Sequence, residues 1–517
     1  MSDDVVEESG EAGRDEAAES QEQPAKPRKN GLGPQPSQEL QDNMRSGWAD
    51  TERADLEPAE QSAYAAKRRK ALSAAFPGER LVIPAGNLKV RANDTDYNFR
   101  PVSDYVFLTG DQSENAVLVL EPTQAGGHEE LVYLLPRSNR ENGEFWLSGQ
   151  GELWVGRRRS LAEAAAELGL PTRESARLAE DLATATETRP QVLTRVLRGH
   201  DQALDAKLTE LEPDRSEPRT GEDPTAAEQR DIDLRVYLSG ARLVKDDWEI
   251  GQMRLACEST VLGFQDVVRE LGQAVATSER WIEGTFWRRA RVEGNDVGYG
   301  SICAAGPHAC TLHWVRNDGE VRPGELLLLD AGVETHTLYT ADVTRTLPIS
   351  GTFTELQRKI YDAVYDAQEA GIAAVKPGAS FRDFHAAAQR VLAERLVEWG
   401  LLEGPVDRVL ELGLQRRFTL HGTGHMLGLD VHDCAHARTE DYVDSELKAG
   451  VVLTVEPGLY FQPDDLTVPE EYRGIGVRIE DDILITADGN ENLSAGLPRR
   501  AEDVEAWMRE VSAGPTA

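Results

Sequence analysis

The distribution of apolar and polar positions divides the chain before any motif is considered. From Met1 to about residue 43 large apolar side chains are nearly absent, while Glu, Asp, Ser, Gln, Pro and Gly prevail. Such a stretch buries too little surface to offset its ordering entropy, so a disordered acidic tail is expected over 1–43. Helical spacing follows from Glu60 to Ala75. Short β-rich runs come next, at Arg80 to Pro84, Ala116 to Glu121 and Glu130 to Pro136, alternating with helical patterns. That alternation predicts an α/β domain over 44–210. Residues 211–233 carry three prolines among dense charge and read as an acidic linker or insertion. Beyond it, Asp246 caps apolar positions at helical spacing to about Gln273, and a further helix is expected over Ser278 to Val292. Strand pairs, helices over Glu355 to Ala374 and Phe381 to Trp399, and more strands to about Thr486 complete a domain over 234–498. A terminal helix and tail occupy 499–517. Helices segregated from antiparallel hairpins give an α+β class rather than a doubly wound parallel sheet.

An internal repeat in the second domain points to chemistry. Arg322-Pro-Gly-Glu-Leu-Leu-Leu-Leu-Asp330-Ala-Gly and Lys448-Ala-Gly-Val-Val-Leu-Thr-Val-Glu456-Pro-Gly share one plan. In each, a turn glycine precedes an apolar strand that ends six residues later in a carboxylate followed by another glycine. Each half adds a second acidic segment, around Asp342 and around Glu480. Four carboxylates among apolar neighbours repel one another and are poorly solvated unless cations sit between them. Divalent metal ions are the natural answer.

Composition narrows the choice. The 517 residues hold 91 Asp plus Glu against 56 Lys plus Arg, a formal charge of -35. A polyanion is repelled by such a chain, which argues against nucleic-acid binding. The four cysteines are scattered and read as reduced, buried thiols. No apolar run approaches the roughly 20 residues of a membrane span, and the first residues are acidic where a signal peptide is basic and then apolar, so a cytoplasmic protein is expected.

His421-Gly-Thr-Gly-His425-Met-Leu-Gly-Leu-Asp-Val-His432 places three of the ten histidines within a dozen residues. The glycines interrupt any helix but let a backbone approach a metal or substrate closely. His421, His425 and His432 are therefore expected to face one cleft.

These motifs resemble those of pita-bread metallopeptidases, and among them the aminopeptidase P family. The likeness rests on Asp330-Ala-Gly, Ala341-Asp342-Val-Thr-Arg-Thr, the His421 to His432 span, Thr454-Val-Glu456-Pro-Gly-Leu-Tyr460 and Tyr472-Arg-Gly-Ile-Gly-Val-Arg478-Ile-Glu480. It extends into the first domain through Tyr97-Asn-Phe-Arg-Pro-Val-Ser-Asp and Glu152-Leu-Trp154-Val-Gly, which are similar to a creatinase-like N-terminal domain. The resemblance implies a pita-bread catalytic domain behind an α/β creatinase-like domain. It further implies a two-metal centre with Asp330, Asp342, His425, Glu456 and Glu480 as ligands. Asp330 would chelate one ion, His425 and Glu456 would hold the other, and Asp342 and Glu480 would bridge them. This oxygen-rich set suits Mn²⁺.

The implied reaction is release of the N-terminal residue from peptides with proline second, by a hydroxide shared between the ions. Glu456 would shuttle a proton, His432 would stabilise the oxyanion, and His421 and His313 would line the leaving-group side, with His313 equally readable as packing against Trp314. Arg478, two residues from Glu480 and so on its face of one strand, would orient a ligand carboxylate. The resemblance also implies a homo-oligomer; Trp154 is expected to be a core aromatic, with reach into a neighbouring subunit's cleft as the alternative if the chain assembles as such relatives do. From Asp330 to Asp342 the chain is one residue longer than the family pattern, and a longer turn within Val333 to Leu338 is expected to absorb the difference. Two other readings use the same motifs. An Xaa-Pro dipeptidase shares the ligands and differs in substrate length. A non-catalytic pita-bread binding protein loses ligands, whereas here five positions are filled.

Overall fold

The computed structural model describes residues 36–212 and 223–514; the expected tail over 1–35 and the centre of the acidic insertion lie outside the described residues. The chain divides into two compact units. The smaller joins the described residues up to Thr51 to Arg137–Arg158. Within it, helix Gln38–Met44 occupies the end of the segment read as a tail, because the Ser37 hydroxyl caps it by accepting from Leu40 N–H. Trp48 meets Phe145 edge to face with centroids 5.2 Å apart, while Leu147, Leu153, Trp154 and Val155 are exposed.

The larger unit opens with helix Glu60–Ala75 and a mixed five-stranded sheet. Its strands are β1 (Arg80–Pro84), β2 (Val117–Pro122), β3 (His128–Leu134), β4 (Thr172–Glu174) and β5 (Thr194–Val196), in the order β4-β3-β2-β1-β5. β1 and β2 are buried almost throughout and read as continuous apolar runs, as strands covered on both faces do. The basic residues Lys67 to Lys70 on helix Glu60–Ala75 read as a solvated face, but two of them turn inward. Arg69 is buried and donates to Glu130 at 2.6 Å, and Arg68 reaches Asp246 at 2.6 Å.

The insertion read over 211–233 is shorter than expected. Helix Ala226–Ala241 begins inside it, set by a capping box in which Thr225 and Glu228 satisfy each other's backbone N–H groups. Helix Asp247–Ala276 follows, with the same device at Asp246 and Glu249.

The catalytic half is built from two small antiparallel sheets of like plan. β6 (Ile302–Ala305), β7 (Leu326–Ala331) and β8 (Val343–Pro348) pair in the order β8-β7-β6. β9 (Val452–Val455), β10 (Gly458–Phe461), β11 (Ile475–Arg478), β12 (Asp481–Ile485) and β13 (Asn490–Asn492) form a sheet in the order β9-β12-β13 and a separate hairpin of β10 with β11. Helices Glu355–Ala374 and Phe381–Glu398 connect the two halves through the sequence. Arg345 ties the halves together in the core, donating to Asp481 at 2.7 Å and to the Glu480 carbonyl at 2.6 Å.

One apolar cluster joins the first domain to the backs of the catalytic loops. Leu81, Tyr105, Leu118 and Leu120 pack in the same core as Trp248, Leu338, Tyr339, Leu427 and Leu429. Each buried side chain of this size contributes about 1.5–3 kcal/mol, so the loops owe part of their rigidity to the first domain. No helix among the described residues is long and apolar enough to cross a membrane.

Candidate metal centre

The strand plan explains how four acids meet. Asp330 lies near the end of β7 and Asp342 immediately precedes β8, its antiparallel partner. Glu456 immediately follows β9 and Glu480 immediately precedes β12. The loops between paired strands must double back closely. At Gly332 a Cβ would lie 1.7 Å from the Ala341 carbonyl oxygen, and at Gly424 1.9 Å from that of Thr454, so only glycine permits either approach.

The turn between the aspartates is closed by Leu338 N–H donating to the Thr335 carbonyl at 2.9 Å, with Leu338 at φ 71°. The two aspartates stand side by side: the Tyr299 hydroxyl contacts Asp330 Oδ1 at 2.6 Å and Asp342 Oδ1 at 2.5 Å.

His425 reaches the same point from a loop rather than a strand. Its N–H donates to Thr454 Oγ1 at 3.1 Å and its carbonyl accepts from Thr454 N–H at 2.9 Å. Its Nε2 stands 3.3 Å from Asp342 Oδ2 and 3.6 Å from Glu456 Oε1. Single ligand atoms of Asp342, His425 and Glu480 all lie within 4.8 Å of one another. The structure thus brings Asp330, Asp342, His425, Glu456 and Glu480 to one cleft of about 670 Å³, together with His313, His421, His432 and Arg478.

Arg478 and Glu480 do not share a strand. Arg478 ends β11, Glu480 precedes β12, and the chain crosses between sheets there, with Glu480 N–H donating to the Thr344 carbonyl at 3.1 Å. Strand parity is therefore broken at Ile479. Arg478 instead pairs with Asp330, and Thr344 Oγ1 links it to Glu480, accepting from Arg478 Nε at 3.1 Å and donating to Glu480 Oε2 at 2.6 Å.

The electrostatics describe a pocket short of positive charge. Burial pushes Asp330 up to about 6, against the pull of Arg478. Burial pushes Glu456 up to about 7, with His425 and Arg478 opposing. Burial, with Asp342 and Glu456 close by, drives Glu480 well above the usual carboxylate range. For Asp342 burial acts the same way and is the largest single influence, but the hydrogen bond and charge of His425, with Tyr299 and Arg478, together outweigh it and hold the group low. Against its own burial, His425 is raised to about 9 by Asp342 and Glu456. A buried set of four carboxylates and one imidazole that retains protons near neutrality fits divalent cations, which would satisfy the charge those protons now offset.

A profile of Metallopeptidase family M24 matches residues 251–487, and one for the aminopeptidase P N-terminal domain matches residues 65–193. Xaa-Pro aminopeptidase 1 of Streptomyces coelicolor is 70% identical over 493 residues, covering 95% of this chain and 96% of its own. The chain belongs to metallopeptidase family M24. The Xaa-Pro aminopeptidase of Escherichia coli is 34% identical, across 86% of this chain and 96% of its own. Among solved structures of M24 enzymes, E. coli aminopeptidase P with the inhibitor Pro-Leu superposes with a TM-score of 0.76 at 32% identity, covering 88% and 99% of the two chains. The Pseudomonas aeruginosa aminopeptidase PepP gives 0.75 at 31% identity, covering 88% and 100%. These likenesses establish the pita-bread catalytic domain behind an aminopeptidase P-type N-terminal domain, and M24 metallopeptidases act with divalent metal ions.

Around the M24 centre stand residues that sequence reasoning missed. Tyr299 is one, and no motif marks it. Tyr460 is another: its hydroxyl meets His421 Nε2 at 2.8 Å and accepts from Arg478 Nη1 at 3.1 Å. It ends the Glu456-Pro-Gly-Leu-Tyr460 span, so its position two residues into β10 was a usable signal.

Glu279 is a third. Fully buried, it accepts from Ala305 N–H, Trp314 Nε1 and Gly319 N–H at 2.7–2.8 Å and lies 2.8 Å from His308 Nδ1. It thereby fixes the loop that presents His313. His308, not His313, stacks on Trp314, with ring centroids 3.8 Å apart, which leaves His313 to the cleft. His432 meets the His425 ring edge to face at 4.3 Å, and burial holds its pKa down. Burial and Arg478 lower His421 to about 4.

Proposed function

We propose that the chain is an Xaa-Pro aminopeptidase, releasing the N-terminal residue from peptides with proline in the second position. The observation that carries this reading is the convergence of five ligand side chains and three further histidines in one cleft of an M24 chain. Asp330, Asp342, His425, Glu456 and Glu480 would hold two divalent ions, with Mn²⁺ favoured by the oxygen-rich donor set. When bound, such ions supply an activated water and polarise the scissile carbonyl.

The chain's own groups do the rest. Glu456 stands between two cleft histidines, 3.6 Å from both His425 Nε2 and His421 Nδ1, which suits it to carry a proton to the leaving proline nitrogen. His432, beside His425 and open to the cleft, is placed to donate to the oxyanion. His421, held by Tyr460, and His313 line the leaving-group side. Arg478 orients Asp330, and through Thr344 it steadies Glu480.

Two further expectations belong to this reading. Four buried free thiols favour a reducing, cytoplasmic setting. Exposed Leu147, Leu153, Trp154 and Val155 favour a homo-oligomer, since side chains of that size gain from cover. The test is hydrolysis of Xaa-Pro-Pro and Xaa-Pro peptides by chelator-stripped protein before and after Mn²⁺ is restored. Metal-dependent release of the first residue from the longer peptide is expected. Cleavage confined to the dipeptide means an Xaa-Pro dipeptidase, and no cleavage of either removes the enzymatic reading.

A further inference from the structure

The segment Tyr97-Asn-Phe-Arg-Pro-Val-Ser-Asp belongs to the first domain, yet it touches both loops that carry the ligands. Arg100 donates through Nε to Glu334 Oε2 at 2.6 Å, through Nη1 to Ser103 Oγ at 3.1 Å, and through Nη2 to the Leu429 carbonyl. Ser103 Oγ donates in turn to Asp430 Oδ1 at 2.6 Å. Glu334 sits in the turn between Asp330 and Asp342, whereas Leu429 and Asp430 sit between His425 and His432. Glu334 is itself pinned from the other side. Its carboxylate accepts from Asn295 Nδ2 at 2.7 Å and its carbonyl from Asn295 N–H at 2.8 Å. Thr340 N–H, donating to the Gly428 carbonyl at 3.0 Å, is a direct link between the two loops. A planar guanidinium held by a carboxylate on one loop and a carbonyl on the other fixes both distance and angle between them, which an ammonium on a flexible stem does not.

We propose that Arg100 is a positioning residue for this centre: its fork sets the Asp330–Asp342 turn against the His425–His432 loop, so the first domain controls how ligands from the two loops align. Glu334 is 3% exposed, and loss of Arg100 leaves its carboxylate buried without a cation and the Leu429 carbonyl without this donor. The two loops are then tied through Thr340 and Gly428 but lose the fork that sets their distance and angle. The proposal rests on the aminopeptidase reading for its kinetic readout alone.

The experiment uses full-length Arg100→Ala, Arg100→Lys, Glu334→Gln and the Arg100→Ala/Glu334→Gln pair, with kcat and KM on an Xaa-Pro-Pro peptide and Mn²⁺ affinity by calorimetric titration. For Arg100→Ala, kcat is expected to fall roughly ten- to hundredfold, with KM changed by less than about twofold. Mn²⁺ affinity is expected to weaken by about tenfold or more. Guanidinium ion at low concentration restores part of the lost kcat in Arg100→Ala and leaves the wild type unchanged. Arg100→Lys falls between, and the double variant is no worse than the sum of its parts in free energy. Wild-type kcat, KM and Mn²⁺ affinity in Arg100→Ala overturn the proposal, as does a lowered melting midpoint with no change in Mn²⁺ affinity. If the wild type cleaves neither peptide, the aminopeptidase reading fails, and the Mn²⁺ titration still decides the role of Arg100.

Discussion

Returning metal to the stripped protein should expel protons, and the structure gives their number. Ligand carboxylates must be ionised and a ligand histidine neutral, so each proton held by the empty cluster leaves when ions bind. At pH 7 a group near 6 such as Asp330 holds about a tenth of a proton, and Glu456, near 7, holds about half. His425, near 9, holds about one, and Glu480, raised well above its ordinary range by burial with Asp342 and Glu456 close by, adds to the count. At least about one and a half protons are therefore expected per centre filled, rising above about two at pH 6 as Asp330 and Glu456 load. By linkage the apparent affinity should fall by at least about one and a half decades for each pH unit lost near neutrality. Calorimetric titration of chelator-stripped protein with Mn²⁺, in buffers of different ionisation enthalpy, reads the count directly. Release of fewer than about one proton at pH 7 would mean that the four acids are already ionised before metal arrives. The account of this pocket as short of positive charge would then be refuted.

Further outcomes follow from neighbouring contacts. Asp342→Ala and Glu480→Ala should each abolish hydrolysis while circular dichroism and elution volume stay those of the wild type; full activity in either would remove the two-ion assignment. Tyr299→Phe removes the hydroxyl that contacts both Asp330 and Asp342 and should weaken Mn²⁺ binding by about tenfold, measured by the same titration. Glu279→Ala leaves Ala305 N–H, Gly319 N–H and Trp314 Nε1 without their acceptor, each costing about 1–3 kcal/mol. A denaturant midpoint shift worth less than about 1 kcal/mol would contradict that accounting. Asp465 accepts from Arg417 at 2.7 and 2.8 Å, and these bonds, with Thr467, hold its carboxyl below the ordinary value near 4. Its stabilisation is therefore present above that value and lost as pH falls below it. Asp465→Asn should accordingly lower the melting midpoint near pH 7 and make no difference in acid.

The sequence was most informative where strand register and chemistry coincided. Asp330 and Glu456 end runs of buried aliphatic residues, and that pattern survives folding because each run is one strand of a local antiparallel pair. The hidden helix Ala226–Ala241 had its own signal in Thr225-Ala-Ala-Glu228, outweighed in the reading by adjacent prolines and charge. Arg478 was placed beside Glu480 by counting along one strand, but the chain changes sheets between them, and alternation holds only within a ladder. Tyr299 and Glu279 left no trace of their roles. Their partners lie tens of residues away in sequence, and a lone Tyr or Glu carries no period that a pattern could expose.

The order in which the ligands occur along the chain bears on biosynthesis. Asp330 and Asp342 emerge from the ribosome well before Glu456 and Glu480, and the link from Arg345 to the carbonyls of Leu497 and Pro498 is made only when residues past the last ligand have been added. Helix Ala501–Ala513 then packs, through Val504 and Met508, into the core shared with Phe264 and Val268 of the helix that opened the domain. A nascent chain that ends before His425 offers two aspartates and no imidazole partner for them. The five candidate ligands are thus together only once the chain has passed Glu480, and the core behind them closes only after the terminal helix has been added.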